Sequence, residues 1–229
     1  IVESFNQGWS AKLPLPKRRI KTLEIGAGLG EHAAWEDLSN QDYYHLDYRQ
    51  ELYEILATKF GADRAILADV QTHLSLPAAS FDRVLALHVL EHLPNLVPAV
   101  IEILRLMKED AVFDVVIPCE GGLAYSLARK ISAQRYFENR FKMDYKPIIA
   151  NEHVNKGWEL VELLRLFFNF ETKEFFPLEI PVFNFNLCLG LRLKKKSLAE
   201  IKKGLASRPD LYERLTENSH LSSSTEEIK

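Results

Sequence analysis

Three sites, each placed after a short apolar run, have the residue types that bind a nucleotide-like ligand. The turn Gly26-Ala27-Gly28-Leu29-Gly30 follows the first run. Its glycines let the backbone approach a ligand, and a helix that begins there offers unpaired N–H groups. Asp47 ends the second run, 21 residues after Gly26, and Asp69 ends the third. A carboxylate about 20 residues beyond such a turn can accept both hydroxyls of a ribose, and Asp69 could meet an adenine amino group.

The residues around the glycine turn indicate which nucleotide fits. A dinucleotide-binding fingerprint has glycine at the sixth position of G-x-G-x-x-G, and this chain has Glu31 there. That carboxylate would repel a pyrophosphate, so a nicotinamide-dependent oxidoreductase is disfavoured. Glu24, which precedes the glycines, could instead face a ligand that carries an ammonium or a sulfonium.

A second group of side chains has the chemistry of acid–base catalysis. His88, Glu91 and His92 follow a fourth apolar run, and His153 lies ahead of a later helix. A histidine titrates near neutral pH, so it can remove a proton from a hydroxyl group during a transfer reaction. In the alternative interpretation, His88 and His92 hydrogen-bond the backbone and brace the loop.

Strands that alternate with helices must position these groups. Apolar runs predict strands at 21–25, 43–46, 64–68, 81–87, 111–117, 171–176 and 184–193, and helical spacing predicts helices at 31–38, 51–60, 96–108, 157–168 and 197–205. This alternation predicts an α/β fold with a parallel sheet covered by helices on both faces. The last two strands are expected to form an antiparallel pair at one edge.

Taken together, these motifs resemble those of class I S-adenosylmethionine-dependent methyltransferases. The resemblance lies in residues 23–30, Asp47, residues 68–70, residues 81–84 and residues 88–94, and it extends over about 21–193. The nearest group is the broad type 11 group, which includes ubiquinone-biosynthesis-like enzymes. The resemblance implies a Rossmann-like, mostly parallel seven-stranded sheet of order 3-2-1-4-5-7-6, with the last strand antiparallel. It also implies S-adenosyl-L-methionine as cofactor and S-adenosyl-L-homocysteine as product.

The resemblance further implies a role for each motif residue. The cofactor's methionine part would be held by Glu24, Gly26, Ala27, Gly28, Gly30 and the backbone near Leu87 and His88, and its adenosine by Asp47, Tyr48, Asp69 and Val70. By the chemistry of their side chains, His92, His153 and Glu91 are the predicted catalytic residues.

A divalent metal is a further alternative that the resemblance raises. The H-x-x-E-H pattern with a distant histidine is similar to the E-x-x-E-H site of small-RNA 2′-O-methyltransferases and of metal-dependent ubiquinone O-methyltransferases. Here His88 replaces the first acid, which argues against magnesium. Three imidazoles and one carboxylate would suit a zinc- or manganese-like ion better.

The stretch 120–151 has the composition of a helical lid over the acceptor. It carries six basic against three acidic side chains, interleaved with five aromatic ones. Basic and aromatic groups suit an acceptor that combines a phosphate with a ring, and residues 117–125 with 151–155 resemble a bacterial subgroup associated with surface-polysaccharide synthesis. A sugar or glycolipid hydroxyl is therefore the leading acceptor. The alternative acceptor is a small phenol or quinone precursor. The protein could also be a non-catalytic S-adenosylmethionine-binding module, and the stretch 120–151 could be an ordinary packed helical cap.

Bulk composition limits the class of protein. The chain has 229 residues, 47% of them hydrophobic, and a net charge of -3, so a nucleic-acid partner is not expected. We expect one methyltransferase domain over 1–193 with the lid inserted at 120–151, followed by a polar, partly disordered tail at 194–229. Cys119 and Cys188 lack metal-site spacing, and no apolar run is long enough to span a bilayer. A cytoplasmic location is expected.

Overall fold

A single seven-stranded sheet forms the centre of the molecule in the computed structural model, which describes residues 2–130, 135, 140 and 153–208. The strands are β1 (Ile20–Ile25), β2 (Gln41–Asp47), β3 (Ala65–Leu67), β4 (Phe81–Leu87), β5 (Met107–Pro118), β6 (Phe168–Phe176) and β7 (Cys188–Lys195). Their order is β3-β2-β1-β4-β5-β7-β6. The pairings among β1 to β5 are parallel, and β7 runs antiparallel to both β5 and β6. The predicted fold class, strand order and antiparallel last strand are confirmed.

Six labelled α-helices accompany this sheet in the described part of the chain. They are α1 (Val2–Gly8), α2 (Gln50–Phe60), α3 (Leu96–Leu106), α4 (Leu123–Arg129), α5 (Gly157–Phe167) and α6 (Leu198–Ala206). The apolar faces of α3 and α5 pack into one large core with the buried sides of β4, β5 and β7. None of the helices in these described ranges is long and apolar enough to cross a bilayer.

The prediction of a helix at 31–38 is wrong. Two short 3-10 turns, His32–Trp35 and Leu38–Asn40, stand in its place. The physical reason lies in Glu36, whose carboxylate accepts hydrogen bonds from the buried guanidinium of Arg83 at 2.8 Å and from the amide of Gln41 at 2.9 Å. Residues 31–38 therefore contribute to a buried network of polar side chains and do not form a helix that packs an apolar face on the sheet.

That network also joins the N-terminal segment to the sheet. Asp114 of β5 accepts hydrogen bonds from Arg83 of β4 and Arg192 of β7, and all three side chains are almost fully buried. The two guanidinium groups then donate to the backbone carbonyls of Ser10 and Pro14. Buried charges are tolerated where they are paired in this way. Neither α1 nor this anchoring was predicted.

Several predicted boundaries shift. Helix α3 ends at Leu106, and β5 begins at Met107 rather than at residue 111. Strand β6 begins at Phe168, before the predicted 171, and β7 begins at Cys188, after the predicted 184. Beyond residue 193, β7 continues to Lys195 and α6 packs its buried Ile201 against the core, so the ordered domain extends into the segment expected to be tail.

Parts of two predicted segments lie outside the described residues. Within the lid at 120–151, the structure describes 120–130, 135 and 140. The predicted lid residues Ile131, Tyr136, Phe137, Glu138, Phe141, Lys142, Asp144, Tyr145 and Lys146 lie outside that part, as does the tail from residue 209.

Candidate active site

A cavity of about 700 Å³ opens at the carboxyl ends of β1, β2 and β4. Its lining comprises Ile25, Gly26, Leu46, Asp47, Tyr48, Arg49, Ala68, Asp69, Val70, Gln71, His88, Val89, His92, Leu93 and Pro94. Open α/β sheets bind ligands at this edge, where the loops after neighbouring strands converge. Six of the predicted cofactor residues, namely Gly26, Asp47, Tyr48, Asp69, Val70 and His88, are therefore brought to one cavity.

The glycine turn approaches this cavity because its backbone adopts positive φ angles. Gly26 has φ +64°, and a side chain there would lie 2.6 Å from Val89 Cγ2. Gly28 has φ +57° and open space where a Cβ would be. Gly30 and Ala27 serve packing instead: a Cβ on Gly30 would lie 2.4 Å from the Phe60 ring, and Ala27 is buried. Of the three glycines, Gly26 lines the cavity, and Gly28 has open space beside its backbone.

Asp47 lies at the end of β2 and is 1% exposed. Its Oδ2 accepts a hydrogen bond from the N–H of Gly28 at 3.1 Å, and its Oδ1 accepts one from the N–H of Arg49 at 3.0 Å. The guanidinium of Arg49 supplies two further bonds, at 3.1 and 3.3 Å. These contacts fix the orientation of the carboxylate at the cavity wall.

The neighbouring strand ends contribute an aromatic and a second acid. The Tyr48 side chain is 67% exposed and lines the cavity, with the Arg49 guanidinium 5.6 Å from its ring centroid. Asp69 accepts hydrogen bonds from the backbone N–H of Gln71 at 2.9 Å and from its amide at 3.1 Å. Gln71 in turn accepts from the N–H of Asn95, which ties the loop after β3 to the loop before α3.

Glu24 lies away from this cavity. Its carboxylate is buried and accepts hydrogen bonds from Tyr43 Oη at 3.1 Å and from His45 Nδ1 at 3.2 Å, both on the adjacent strand β2. It is not among the cavity-lining residues. This placement does not support a direct contact of Glu24 with a ligand ammonium or sulfonium.

His88 and Glu91 form a pair beside the turn after β4. His88 has φ +55°, which is uncommon for a residue with a side chain, and its Nδ1 lies 3.2 Å from Glu91 Oε1. Burial lowers the pKa of His88, but its interactions with Cys188 and the Glu91 carboxylate outweigh burial and raise that pKa to about 10. Oε2 of Glu91 is buried and has no hydrogen-bond partner among the residues that the structure describes.

A second imidazole–carboxylate pair lies next to His92. His153 Nδ1 is 2.5 Å from Oε2 of Glu120, while Oε1 of Glu120 accepts from Arg129 at 2.8 Å. Burial raises the pKa of Glu120, but His153 and Arg129 outweigh burial and lower that pKa below its ordinary value. The rings of His92 and His153 meet edge to face with centroids 4.7 Å apart. His92 lines the cavity, and His153 packs against it.

Asn155 explains how His153 reaches this position. Its amide donates to the carbonyls of Leu90 at 2.9 Å and Leu93 at 2.7 Å, and its N–H donates to the carbonyl of Glu91 at 3.1 Å. Three bonds from one residue thus hold the segment before α5 against the turn that carries Glu91 and His92. His153, two positions earlier, is thereby held beside His92.

The four-residue metal site that the sequence raised as an alternative does not form in this arrangement. His88 is paired with Glu91, while Nδ1 of His153 is committed to Glu120. In the described ranges, no group of three or more histidine, cysteine, aspartate or glutamate side chains is placed to hold a metal ion. His88, Glu91, His92 and His153 are therefore not arranged to bind the divalent metal that their spacing in the sequence suggested.

Four residues of the site were missed by sequence reasoning: Arg49, Gln71, Glu120 and Asn155. Arg49 and Gln71 each follow a predicted strand-end acid by two positions, so proximity along the chain could have identified them. Glu120 and Asn155 carry no such signal, because their partners lie 33 and more than 60 positions away.

Residues 23–115 match the family model described as a methyltransferase domain. This match and the order of the strands described above make the protein an S-adenosylmethionine-dependent methyltransferase. No curated protein sequence matches it significantly.

Solved structures of low sequence identity share the fold of this methyltransferase. The PH0226 protein of Pyrococcus horikoshii OT3 superposes with TM-score 0.58 at 15% identity, covering 85% of this chain and 91% of its own. A methyltransferase of Thermotoga maritima, described as a possible histamine N-methyltransferase, has TM-score 0.58 at 21% identity and coverages of 85% and 89%.

A third solved structure was determined with its ligands. The 1,6-didemethyltoxoflavin-N1-methyltransferase of Burkholderia thailandensis contains 1,6-didemethyltoxoflavin and S-adenosylhomocysteine. It has TM-score 0.54 at 18% identity and coverages of 79% of this chain and 72% of its own. At such identities these likenesses establish the fold of the methyltransferase, and none of them points to the surface-polysaccharide subgroup.

Proposed function

We propose that this methyltransferase transfers the methyl group of S-adenosylmethionine to a hydroxyl oxygen of a sugar or glycolipid. The observation that carries the proposal is the Glu120–His153 pair beside the cavity-lining His92. A hydroxyl must lose a proton as it accepts a methyl group, and an imidazole oriented by a carboxylate is suited to take that proton.

In this proposal the cavity holds the cofactor as the motifs imply. Asp47 would accept hydrogen bonds from the ribose hydroxyls, Tyr48 would lie against the adenine, and Asp69 with the Val70 backbone would contact the adenine edge. The backbone of Gly26, Gly28 and His88 would hold the methionine part, while Ala27, Gly30 and Glu24 would shape the turn from behind. When bound, S-adenosylmethionine supplies a methyl carbon that its sulfonium already activates.

The chain's own residues then orient the acceptor and take its proton. His153 uses Nε2 as the base, because Nδ1 is committed to Glu120, and the Glu120 carboxylate stabilises the imidazolium that forms. Arg129 holds Glu120 in place from its other oxygen. His92 forms the wall against which the acceptor is aligned, and Glu91, which is buried and does not line the cavity, acts through His88, with which it is paired.

The described part of the predicted lid supports this choice of acceptor. Lys130, Arg135 and Arg140 are exposed, and so are the apolar side chains of Leu123 and Leu127 on α4. Basic groups next to exposed apolar ones suit an acceptor with a phosphate and an apolar tail. A small phenol or quinone precursor would need the apolar surface without the charges.

Calorimetric titration of the metal-stripped protein with S-adenosylhomocysteine tests the cofactor half of the proposal, with NADH as the control ligand. Micromolar binding of the former and none of NADH is expected. The titration is repeated with manganese or zinc, where an unchanged affinity is expected from the donor set described above. Failure of S-adenosylhomocysteine to bind under all conditions would remove the basis of the proposal.

The acceptor half is tested with radiolabelled S-adenosylmethionine and a panel of acceptors. The panel contains nucleotide sugars, lipid-linked sugar phosphates, and catechol and quinol precursors. Label transfer to the sugar acceptors is expected, with base-stable ether linkages in the product. Transfer only to the phenols would favour the alternative substrate class. Cofactor binding with no transfer to any acceptor would favour a non-catalytic binding module.

A further inference from the structure

The carboxylate of Asp47 already has its full set of hydrogen-bond donors. Two come from backbone N–H groups, those of Gly28 and Arg49, and two come from the Arg49 guanidinium. A carboxylate offers about four lone-pair positions to donors. The two guanidinium bonds go to different oxygens, Nε to Oδ1 and Nη2 to Oδ2.

A ribose with two hydroxyls would need the same positions on Asp47. The two backbone N–H groups cannot move away from Asp47. Gly28 belongs to the glycine turn, and Arg49 is the N-cap of α2, where its carbonyl accepts a hydrogen bond from the N–H of Tyr53 at 3.0 Å. Only the guanidinium can be exchanged, and its two donors match the two O–H donors of a ribose in number.

We propose that Arg49 occupies the ribose position in the free enzyme and is displaced when the cofactor binds, so that Arg49 sets the affinity for the cofactor. This inference rests on the proposed role of Asp47 as the ribose ligand. The Arg49 side chain is 51% exposed, whereas that of Asp47 is 1% exposed. The guanidinium can therefore swing into solvent or stay near the Tyr48 ring while the carboxylate keeps its position.

Arg49→Met removes the guanidinium and keeps the length of the aliphatic stem. Because the competing donors are gone, we expect the dissociation constant for S-adenosylhomocysteine to fall about two- to fivefold, in line with the strength of a partly exposed ion pair. Arg18→Met is the matched control. Arg18 is similarly exposed and pairs with the buried Asp82 at 2.7 Å, but neither residue lines the cavity.

Two further measurements distinguish displacement of Arg49 from a general loss of stability. They are the dependence of the affinity on salt and its dependence on the ribose hydroxyls. The affinity of the unchanged protein is expected to rise with sodium chloride, because salt screens the Arg49–Asp47 pair, whereas that of Arg49→Met stays flat. The gain in affinity is also expected to be smaller for the 2′-deoxy analogue of S-adenosylhomocysteine, because Arg49 then has to give up only one of its two bonds to Asp47.

The outcomes separate this inference from the proposed function. Tighter binding by Arg49→Met but not by Arg18→Met supports displacement. Weaker binding by Arg49→Met would overturn it and make Arg49 a direct cofactor contact, and an unchanged affinity would overturn it as well. If the unchanged protein does not bind S-adenosylhomocysteine at all, the cofactor assignment itself fails.

Discussion

Nδ1 of His153 lies 2.5 Å from Oε2 of Glu120, which joins the segment before α5 to the residue two positions after the end of β5. Both side chains are largely buried, with 12% and 15% of their surfaces exposed. The two residues lie 33 positions apart along the chain. One contact therefore joins two distant segments and orients an imidazole beside the cavity wall.

His153→Ala is expected to leave S-adenosylhomocysteine affinity unchanged and to lower turnover about 100-fold or more, the usual contribution of a general base. Calorimetry and a methyl-transfer assay with an accepted sugar give the two numbers. His73→Ala is the control, since the His73 side chain is 76% exposed and pairs with Glu102. Equal losses of binding and turnover would show that His153 is structural.

Glu120→Gln tests the carboxylate that positions the His153 imidazole. The amide keeps the size of the side chain but cannot stabilise an imidazolium, so turnover should fall while cofactor affinity holds. Nitrogen-15 chemical shifts of His153 would report whether the proton stays on Nδ1. A variant with normal turnover would remove Glu120 from the mechanism.

Asp47→Ala is expected to weaken S-adenosylhomocysteine binding by about 1.5–3 kcal/mol, because a buried carboxylate that accepts the ribose hydroxyls is lost. This corresponds to about a ten- to hundredfold rise in the dissociation constant measured by calorimetry. Asp63→Ala, on an exposed carboxylate after α2, should leave binding unchanged. An unchanged affinity of Asp47→Ala would refute the ribose contact.

Asn155→Ala is expected to lower the free energy of unfolding by about 1–2 kcal/mol, because the carbonyls of Leu90 and Leu93 lose their donor. The melting temperature should fall by about 2–8 °C. Turnover should fall further than stability accounts for, since His153 is no longer held beside His92. Asn169→Ala, at an exposed position of β6, serves as the control. Loss of stability with full turnover would limit Asn155 to a structural role.

The stability of the fold should depend on pH through Glu36. Burial raises the pKa of Glu36, but its hydrogen bonds to His32 and Arg83 outweigh burial and lower that pKa from 4.5 to about 2. A carboxyl with a lowered pKa stabilises the folded state above its unfolded pKa, and this contribution disappears as pH falls from about 4.5 to 2. Glu36→Gln should flatten this part of a denaturation series run against pH. If the unchanged protein and the variant lose stability in parallel, Glu36 does not carry the effect.

The sequence by itself determined the sheet and the cofactor motifs. Strand-forming runs that each end at a glycine turn or an acid are local signals, and parallel strands necessarily bring their carboxyl ends to one edge. For that reason Gly26, Asp47 and Asp69 could be assigned to one cavity before any contact was known. The apolar periodicity of α3 and α5 was readable for the same reason, because burial of one helix face leaves a regular pattern.

Only the tertiary structure decided which polar groups meet. The helix expected at 31–38 gave way to 3-10 turns because Arg83, buried on the sheet, needs the carboxylate of Glu36. Glu120 meets His153 across 33 positions, and Asn155 holds the segment that carries His153 against the turn after β4. Such pairings depend on side chains brought close by folding, and no periodicity along the chain records them.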